Sequence, residues 1–188
     1  MTSLIYFDSN KQAYTYPVEN YIATVEKDVW LTIIPNGELG IDYDIINGTF
    51  VDLRQTEEGN KRQVEKKRKE KNEENDLKVH LCLEKTFEVE VSDHNVKCTF
   101  VYNKDTKDDL NSSALGFITG TISKKQWTDE DGNTVFLTQE DVANVLLIFN
   151  AFGNAVWDKW GIYKKQIEEA ATISDLENIE ITYDNINS

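Results

Sequence analysis

Hydrophobic positions recur along this chain with two different periods. Through residues 1–54 they form short β-branched and aromatic runs at residues 4–7, 29–34, 39–41 and 49–53, broken by Pro17, Pro35-Asn36-Gly37 and Asn47-Gly48. Runs of this kind between turn residues predict strands. Asn47-Gly48 predicts a tight hairpin, because both residue types tolerate the positive φ that a two-residue turn demands. Period two returns after residue 76: Leu77, Val79, Leu81 and Leu83 alternate with polar positions, Phe87, Val89 and Val91 repeat the pattern, and residues 98–102 follow a Ser92-Asp93-His94-Asn95 turn, which together predict a three-stranded meander. Residues 103–122 then shift to helical spacing. Asp105 or Thr106 is placed to cap, Asp108 and Asp109 suit the positive end of the helix dipole, and Leu110, Ala114 and Phe117 or Ile118 form an apolar stripe.

The last third carries the strongest pattern. Trp127 opens a strand, Asp131-Gly132 supplies a turn, and residues 134–138 return, which predicts a second hairpin. Thr138 with Asp141 has capping-box spacing, and a helix extending to Ala171 follows. Along it Val142, Val145, Leu146, Phe149, Phe152, Val156, Trp160, Tyr163 and Ile167 step by three and four residues, making one broad apolar face. Gly153 and Gly161 each weaken that helix by about 1 kcal/mol relative to Ala, so close packing or a kink is expected at them. Ser174 with Glu177 predicts the cap of a short closing helix.

Between these regions, residues 57–76 contain seven basic and seven acidic residues and one large apolar residue, Val64. Glu57 with Lys61, Glu58 with Arg62 and Glu65 with Lys69 have the spacing that supports an exposed helix. The chain is therefore expected to be α+β: an N-terminal antiparallel β module (residues 1–54), a charged helical linker (55–76), and a C-terminal α+β domain (77–188) with a β-meander, hairpins and one long amphipathic helix.

Composition narrows the chemistry. The formal charge of −14 is repulsive toward phosphate backbones and anionic lipid, so neither nucleic acid nor membrane is expected as a partner. No run approaches the roughly 20 apolar residues of a membrane span, and the first residues lack the basic and apolar regions of a secretory signal, which points to synthesis in the cytoplasm. Cys82 and Cys98 are expected as buried thiols in strands, without a disulfide. His80 and His94 lack partners at ligand spacing, and the clustered Asp residues lack the alternating positions of a calcium loop. No residue is assigned a catalytic, metal-binding or cofactor-binding role, and no cofactor is expected.

The segment Trp127-Thr-Asp-Glu-Asp-Gly-Asn-Thr-Val-Phe-Leu-Thr-Gln-Glu-Asp-Val, followed by a long helix ending in Lys-Lys-Gln-Ile-Glu-Glu-Ala-Ala-Thr-Ile-Ser-Asp-Leu-Glu-Asn-Ile, resembles the C-terminal domain of unknown function found in tailed-phage and prophage tail-fibre and tail-associated proteins. The resemblance spans residues 65–181, and its matched positions are Trp127, Asp131, Gly132, Val135, Leu137, Thr138, Asp141, Ile167 and Ala170. The family usually has a glycine-bearing turn where this chain has Asp93-His94-Asn95, and its long helix is usually less aromatic. The resemblance implies a virion tail, or the host cytoplasm during assembly, as the location, other tail or fibre proteins as partners, and either a homotrimer or a complex with a trimeric fibre as the assembly. It brings no chemistry that transfers residue by residue.

A non-enzymatic tail-associated structural or adaptor protein is the expected function. The alternative is an acidic inhibitor of a host nucleic-acid-binding complex, in which Asp108-Asp109, Asp129-Glu130-Asp131 and Glu168-Glu169 stand in for phosphates. Trp157, Trp160, Tyr163 and Trp30 are the candidate partner-binding residues, since large aromatics dominate protein contacts.

Overall fold

The computed structural model describes residues 3–33, 37–54, 56–93 and 96–186. Ile34, Pro35-Asn36 and the His94-Asn95 part of the Asp93-His94-Asn95 turn lie outside these residues. The chain is α+β and divides into two compact units, residues 1–70 with 170–177 and residues 71–169 with 178–188.

In the first unit, β1 (Leu4–Phe7) is the middle strand of an antiparallel sheet, flanked by β2 (Ala13–Tyr14) and β3 (Ala23–Glu26), with Ile5 opposite Val25 and Tyr6 opposite Tyr14. β4 (Tyr43–Ile46) and β5 (Thr49–Asp52) form the expected hairpin, and Asn47 and Gly48 take φ of 51° and 76° at its turn. Period two buries Ile5 and Phe7 on one face, where the Phe7 ring meets Trp30 edge-on at 5.4 Å and stacks on Phe50 at 5.8 Å.

Over residues 29–33 of the predicted 29–34 strand no strand is formed. Residues Lys27–Leu31 make one helical turn, α1, because the buried side chains there are Trp30 and Ile33, three apart, while Val29 and Leu31 face solvent. Residues 39–41 contribute only an isolated bridge from Leu39 to Tyr43.

α2 (Glu57–Leu83) begins in the first unit, where the Thr56 hydroxyl accepts from the Gly59 amide at 3.0 Å, and ends in the second. Glu58 and Arg62 form the expected i,i+4 pair at 2.9 Å. The same Arg62 donates to the Gly40 carbonyl at 2.9 Å, and Lys66 pairs with Glu38.

The helix does not stop at Asp76. Residues 77–83, predicted as a strand, continue it: Val79 is buried at 1% while Leu77 and Leu81 are exposed at 61% and 59%. A strand would have put all three on one face, whereas 100° per residue separates Val79 from Leu77 and Leu81. Extending an existing helix adds one hydrogen bond per residue fixed, and the Glu74–Lys78 pair at 2.8 Å spans the extension. Cys82 is accordingly helical and half-buried, and only Cys98 lies in a strand.

The second unit therefore has a two-stranded hairpin in place of the meander, β6 (Thr86–Val91) with β7 (Val96–Val101). α3 (Lys104–Ile118) follows, capped by the Asn103 carboxamide, which accepts from the Thr106 amide at 2.7 Å, rather than by Asp105 or Thr106. β8 (Lys125–Thr128) and β9 (Thr134–Leu137) form the second predicted hairpin, with Gly132 at φ 83° in its turn, and lead into α4 (Gln139–Glu169). Of the predicted apolar face of α4, all but the part-buried Leu146 and Trp160 are buried. α5 (Ile173–Glu177) is capped by Thr172 with Asp175, not by Ser174 with Glu177: the Thr172 amide donates to the Asp175 carboxylate at 2.9 Å and the Thr172 hydroxyl accepts from the Asp175 amide at 3.1 Å.

Two sites lock α4 to the hairpins. The Asp141 carboxylate accepts from the amide and hydroxyl of Thr138 at 2.8 and 2.7 Å and from the amide and hydroxyl of Ser92 at 2.9 and 2.8 Å. Burial alone would push this carboxyl up, but the Thr138 and Ser92 donors outweigh it and hold it below the usual carboxylate range. Ten residues on, the Tyr102 ring lies between Phe149 at 5.2 Å and Phe152 at 5.0 Å, and its hydroxyl comes so close to Gly153 that a Cβ there would meet it at 2.3 Å. Gly161, by contrast, has no atom within 4 Å of where a Cβ would sit.

Gly153→Ala is expected to destabilise the protein, because the Tyr102 ring cannot turn away between two phenylalanines and the clash outweighs the gain of about 1 kcal/mol in helix propensity. In a Tyr102→Phe background the cost shrinks, since the offending oxygen is gone and the nearest remaining atom is the ring carbon at 3.3 Å. Urea unfolding of the four proteins in the cycle measures this, and an equal Gly153→Ala cost in both backgrounds contradicts it. Asp141→Ala is expected to cost about 1–3 kcal/mol, as the part-buried Thr138 and Ser92 donors lose their acceptor. A carboxyl depressed on folding stabilises the native state above its unfolded pKa, and that contribution falls away as pH drops through the depressed folded value. Wild type should therefore lose more stability on acidification than Asp141→Ala, and parallel pH–stability curves would refute the assignment.

Candidate functional site

The four aromatic candidates meet different fates. Trp30 is 8% exposed in the core of the first unit, against Phe7 and Tyr43. Trp157, Trp160 and Tyr163 lie on successive turns of α4 in the second.

Tyr163 is 9% exposed, and its hydroxyl donates to the Thr182 carbonyl and accepts from the Thr182 amide, both at 3.1 Å. Its ring meets Tyr183 edge-on at 5.9 Å. Trp160 donates its indole N–H to Asp76 at 2.8 Å, and the Lys164 ammonium lies 4.8 Å over its ring. The residue's carbonyl accepts from the Asn75 side chain at 3.2 Å, and Asn75 in turn accepts the Tyr183 hydroxyl at 2.6 Å. Burial, followed by the nearby Tyr163, Cys82 and Asp76, pushes the Tyr183 phenol up to about 12, so it remains a donor throughout the physiological range. Trp160 and Tyr163 are thus committed to holding α2, α4 and residues 178–186 together.

Trp157 is not. It meets Trp160 edge-on at 5.7 Å and remains 45% exposed. Its indole forms one wall of a hollow of about 410 Å³ whose other apolar walls are Leu83, at the end of α2, and Tyr102, just beyond β7. The remaining side is the first turns of α3: Asn103, Lys104, Lys107, Asp108 and Asn111. Lys104 is paired with Asp108, whose carboxylate pushes the ammonium pKa up, and the Lys107 ammonium sits 5.1 Å over the Tyr102 ring. Sequence reasoning found Trp157 but missed Leu83, assigned to a strand, and Tyr102 and Lys107, whose only signal was the 104, 107, 108, 111 spacing of polar residues on one helix face.

A larger hollow, about 710 Å³, lies in the first unit between α2 and α5, with Val64, Ala171 and Ile173 among Glu57, Lys61, Glu65 and Arg68. It offers no aromatic surface, and Arg68 is spent in part on the Ala170 carbonyl at 3.0 Å.

Several of the clustered acids have local work. Asp109 pairs with Lys125 at 2.7 Å, and Asp129, 8% exposed, accepts from the Asn133 amide and side chain at 2.8 and 3.0 Å. Burial first, and then Asp129, pushes the Cys98 thiol up to about 11, which leaves it protonated and unreactive. Among the described residues no group of three His, Cys, Asp or Glu side chains is placed to hold a metal ion, and no helix is long and apolar enough to cross a membrane.

Comparison of the chain with protein-family models, with curated proteins and with solved structures finds no match.

Proposed function

We propose that this protein acts by binding other proteins and not by catalysis, as a tail-associated adaptor or assembly component of a bacteriophage. The observation that carries the contact function is Trp157. A large aromatic left half-exposed beside a preformed apolar hollow, while both its aromatic neighbours are consumed internally, has the character of a contact anchor.

The tail setting rests on the resemblance over residues 65–181, whose matched positions from Trp127 to Ile167 all fall in the second unit, in the hairpin with the Asp131-Gly132 turn, the Thr138–Asp141 box and the buried face of α4. Its partners in this reading are other tail or fibre proteins, and it resides in the virion tail or in the host cytoplasm during assembly. The inhibitor reading has less support, because Asp108, Asp109 and Asp129 are engaged with Lys104, Lys125 and Asn133 and are not displayed as a free phosphate-like array.

Mass spectrometry of purified particles and of tail-assembly intermediates tests the setting. The protein is expected in at least one of the two, and its repeated absence from both would remove the tail reading.

A further inference from the structure

Beyond the contact function proposed above, on which this inference rests, the chemistry of the hollow specifies what it takes. We propose that it is a docking site for an acidic peptide segment of a partner protein, with one aromatic or branched apolar side chain entering against Trp157 and a flanking carboxylate meeting Lys107.

The volume sets the first limit. At about 410 Å³ the hollow is at the small end of the range of about 300–1,000 Å³ found for ligand sites, which suits a single anchoring side chain better than an extended cofactor. Its walls are apolar where the anchor would go, at Trp157, Leu83 and Tyr102. Two of the walls are backed by other rings, Tyr102 by Phe149 and Phe152 and Trp157 by Trp160. A site already in shape pays little ordering entropy on binding.

Charge sets the second limit. The chain as a whole carries −14, a field that favours basic partners, but the rim of this hollow does not follow it. Of the rim charges, Lys104 and Asp108 neutralise one another. Lys107 forms no ion pair among the described residues; its ammonium rests over the Tyr102 ring, and a cation held only by an aromatic face retains its capacity for a carboxylate. Of the acids beside it in sequence, Asp108 is paired with Lys104 and Asp109 with Lys125, and Asp105 lies in the first turn of α3, where the helix dipole stabilises it and where it acts on Lys104. An apolar anchor next to a carboxylate satisfies both the walls and the one unpaired cation. A basic segment would satisfy the walls and be repelled by Lys107.

Nuclear magnetic resonance on the full-length ¹⁵N-labelled protein tests this, with the Trp157 indole signal assigned through Trp157→Phe. The probes are acetyl-Asp-Phe-Asp-amide, acetyl-Asp-Ala-Asp-amide and acetyl-Lys-Phe-Lys-amide at low ionic strength. Saturable movement of the Trp157 indole is expected with the first alone, about tenfold weaker in Lys107→Glu and weaker again at physiological salt. Lys107→Glu places an acid near a helix N-terminus, where it is tolerated, and circular dichroism checks that it folds. No saturable shift with any probe, an equal response to the basic peptide, or a response to the alanine peptide equal to that of the phenylalanine peptide overturns the proposal. Failure here in a protein still found in tails or tail intermediates removes this site and leaves the tail setting standing.

Discussion

A carbonyl in an extended segment with no strand beside it must find its donor elsewhere, and in residues 178–186 that donor is repeatedly a lysine of the second unit. Lys71 reaches the Ile179 carbonyl at 3.0 Å, Lys78 the Ile181 carbonyl at 2.7 Å and Lys85 the Ile186 carbonyl at 3.4 Å. Their spacing is seven residues, close to two turns, so Lys71 and Lys78 lie on one face of α2 and Lys85 continues the row just past its end. Hydrogen bonds from charged donors contribute roughly 1.5–3 kcal/mol each when sheltered. Lys71 comes nearest to that, since its side chain is 14% exposed, while Lys78 at 42% is screened by solvent and contributes less. Ile181 and Tyr183 are buried between these polar contacts, and the Tyr183–Asn75 hydrogen bond is buried with them.

This attachment decides what is left for function. Holding residues 178–186 against α2 and α4 uses the hydroxyl of Tyr163 and the carbonyl of Trp160, and the Trp160 indole goes to Asp76. Trp160 and Tyr163, on the predicted apolar face, are thereby used internally, whereas Trp157, about 60° of helix rotation from Trp160 and about 100° from Val156, keeps a free face. The hollow beside it owes its shape to a different constraint, the insertion of Tyr102 against Gly153, which fixes the floor from the β7 side.

The features legible in the sequence are those set by local chemistry. Asn47, Gly48 and Gly132 make turns because few other residues accept their positive φ, and Thr138 with Asp141 caps α4 because the two side chains satisfy each other's amides. The inward face of α4 was legible because its period continues from Val142 to Ile167, too long to be accidental. Misreadings cluster where the apolar pattern is short and two periods fit it. Residues 77–83 alternate as a strand does, yet they extend a helix already formed, and Leu77 and Leu81 are left in solvent as a result. Residues 29–34 read as a strand, but among the described residues of that run only Trp30 and Ile33 enter the core. Near-equivalent caps were also confused: Asn103 rather than Asp105 or Thr106, and Thr172 with Asp175 rather than Ser174 with Glu177. The hollow was not legible because Leu83, Tyr102 and Lys107 come from three elements, and no spacing within one element reports their meeting.

The central claim is that contact with a partner runs through the face of Trp157. Replacing Trp157 with the photoreactive residue p-benzoylphenylalanine in cells where particles assemble, and sequencing the cross-linked peptides, tests it most directly. The account predicts cross-links concentrated on one partner segment that carries carboxylates beside an aromatic or branched apolar residue, with little yield when the same probe replaces Ile118, which is 73% exposed on α3. Equal yields from the two positions, or cross-links at position 157 scattered over unrelated segments, would contradict it.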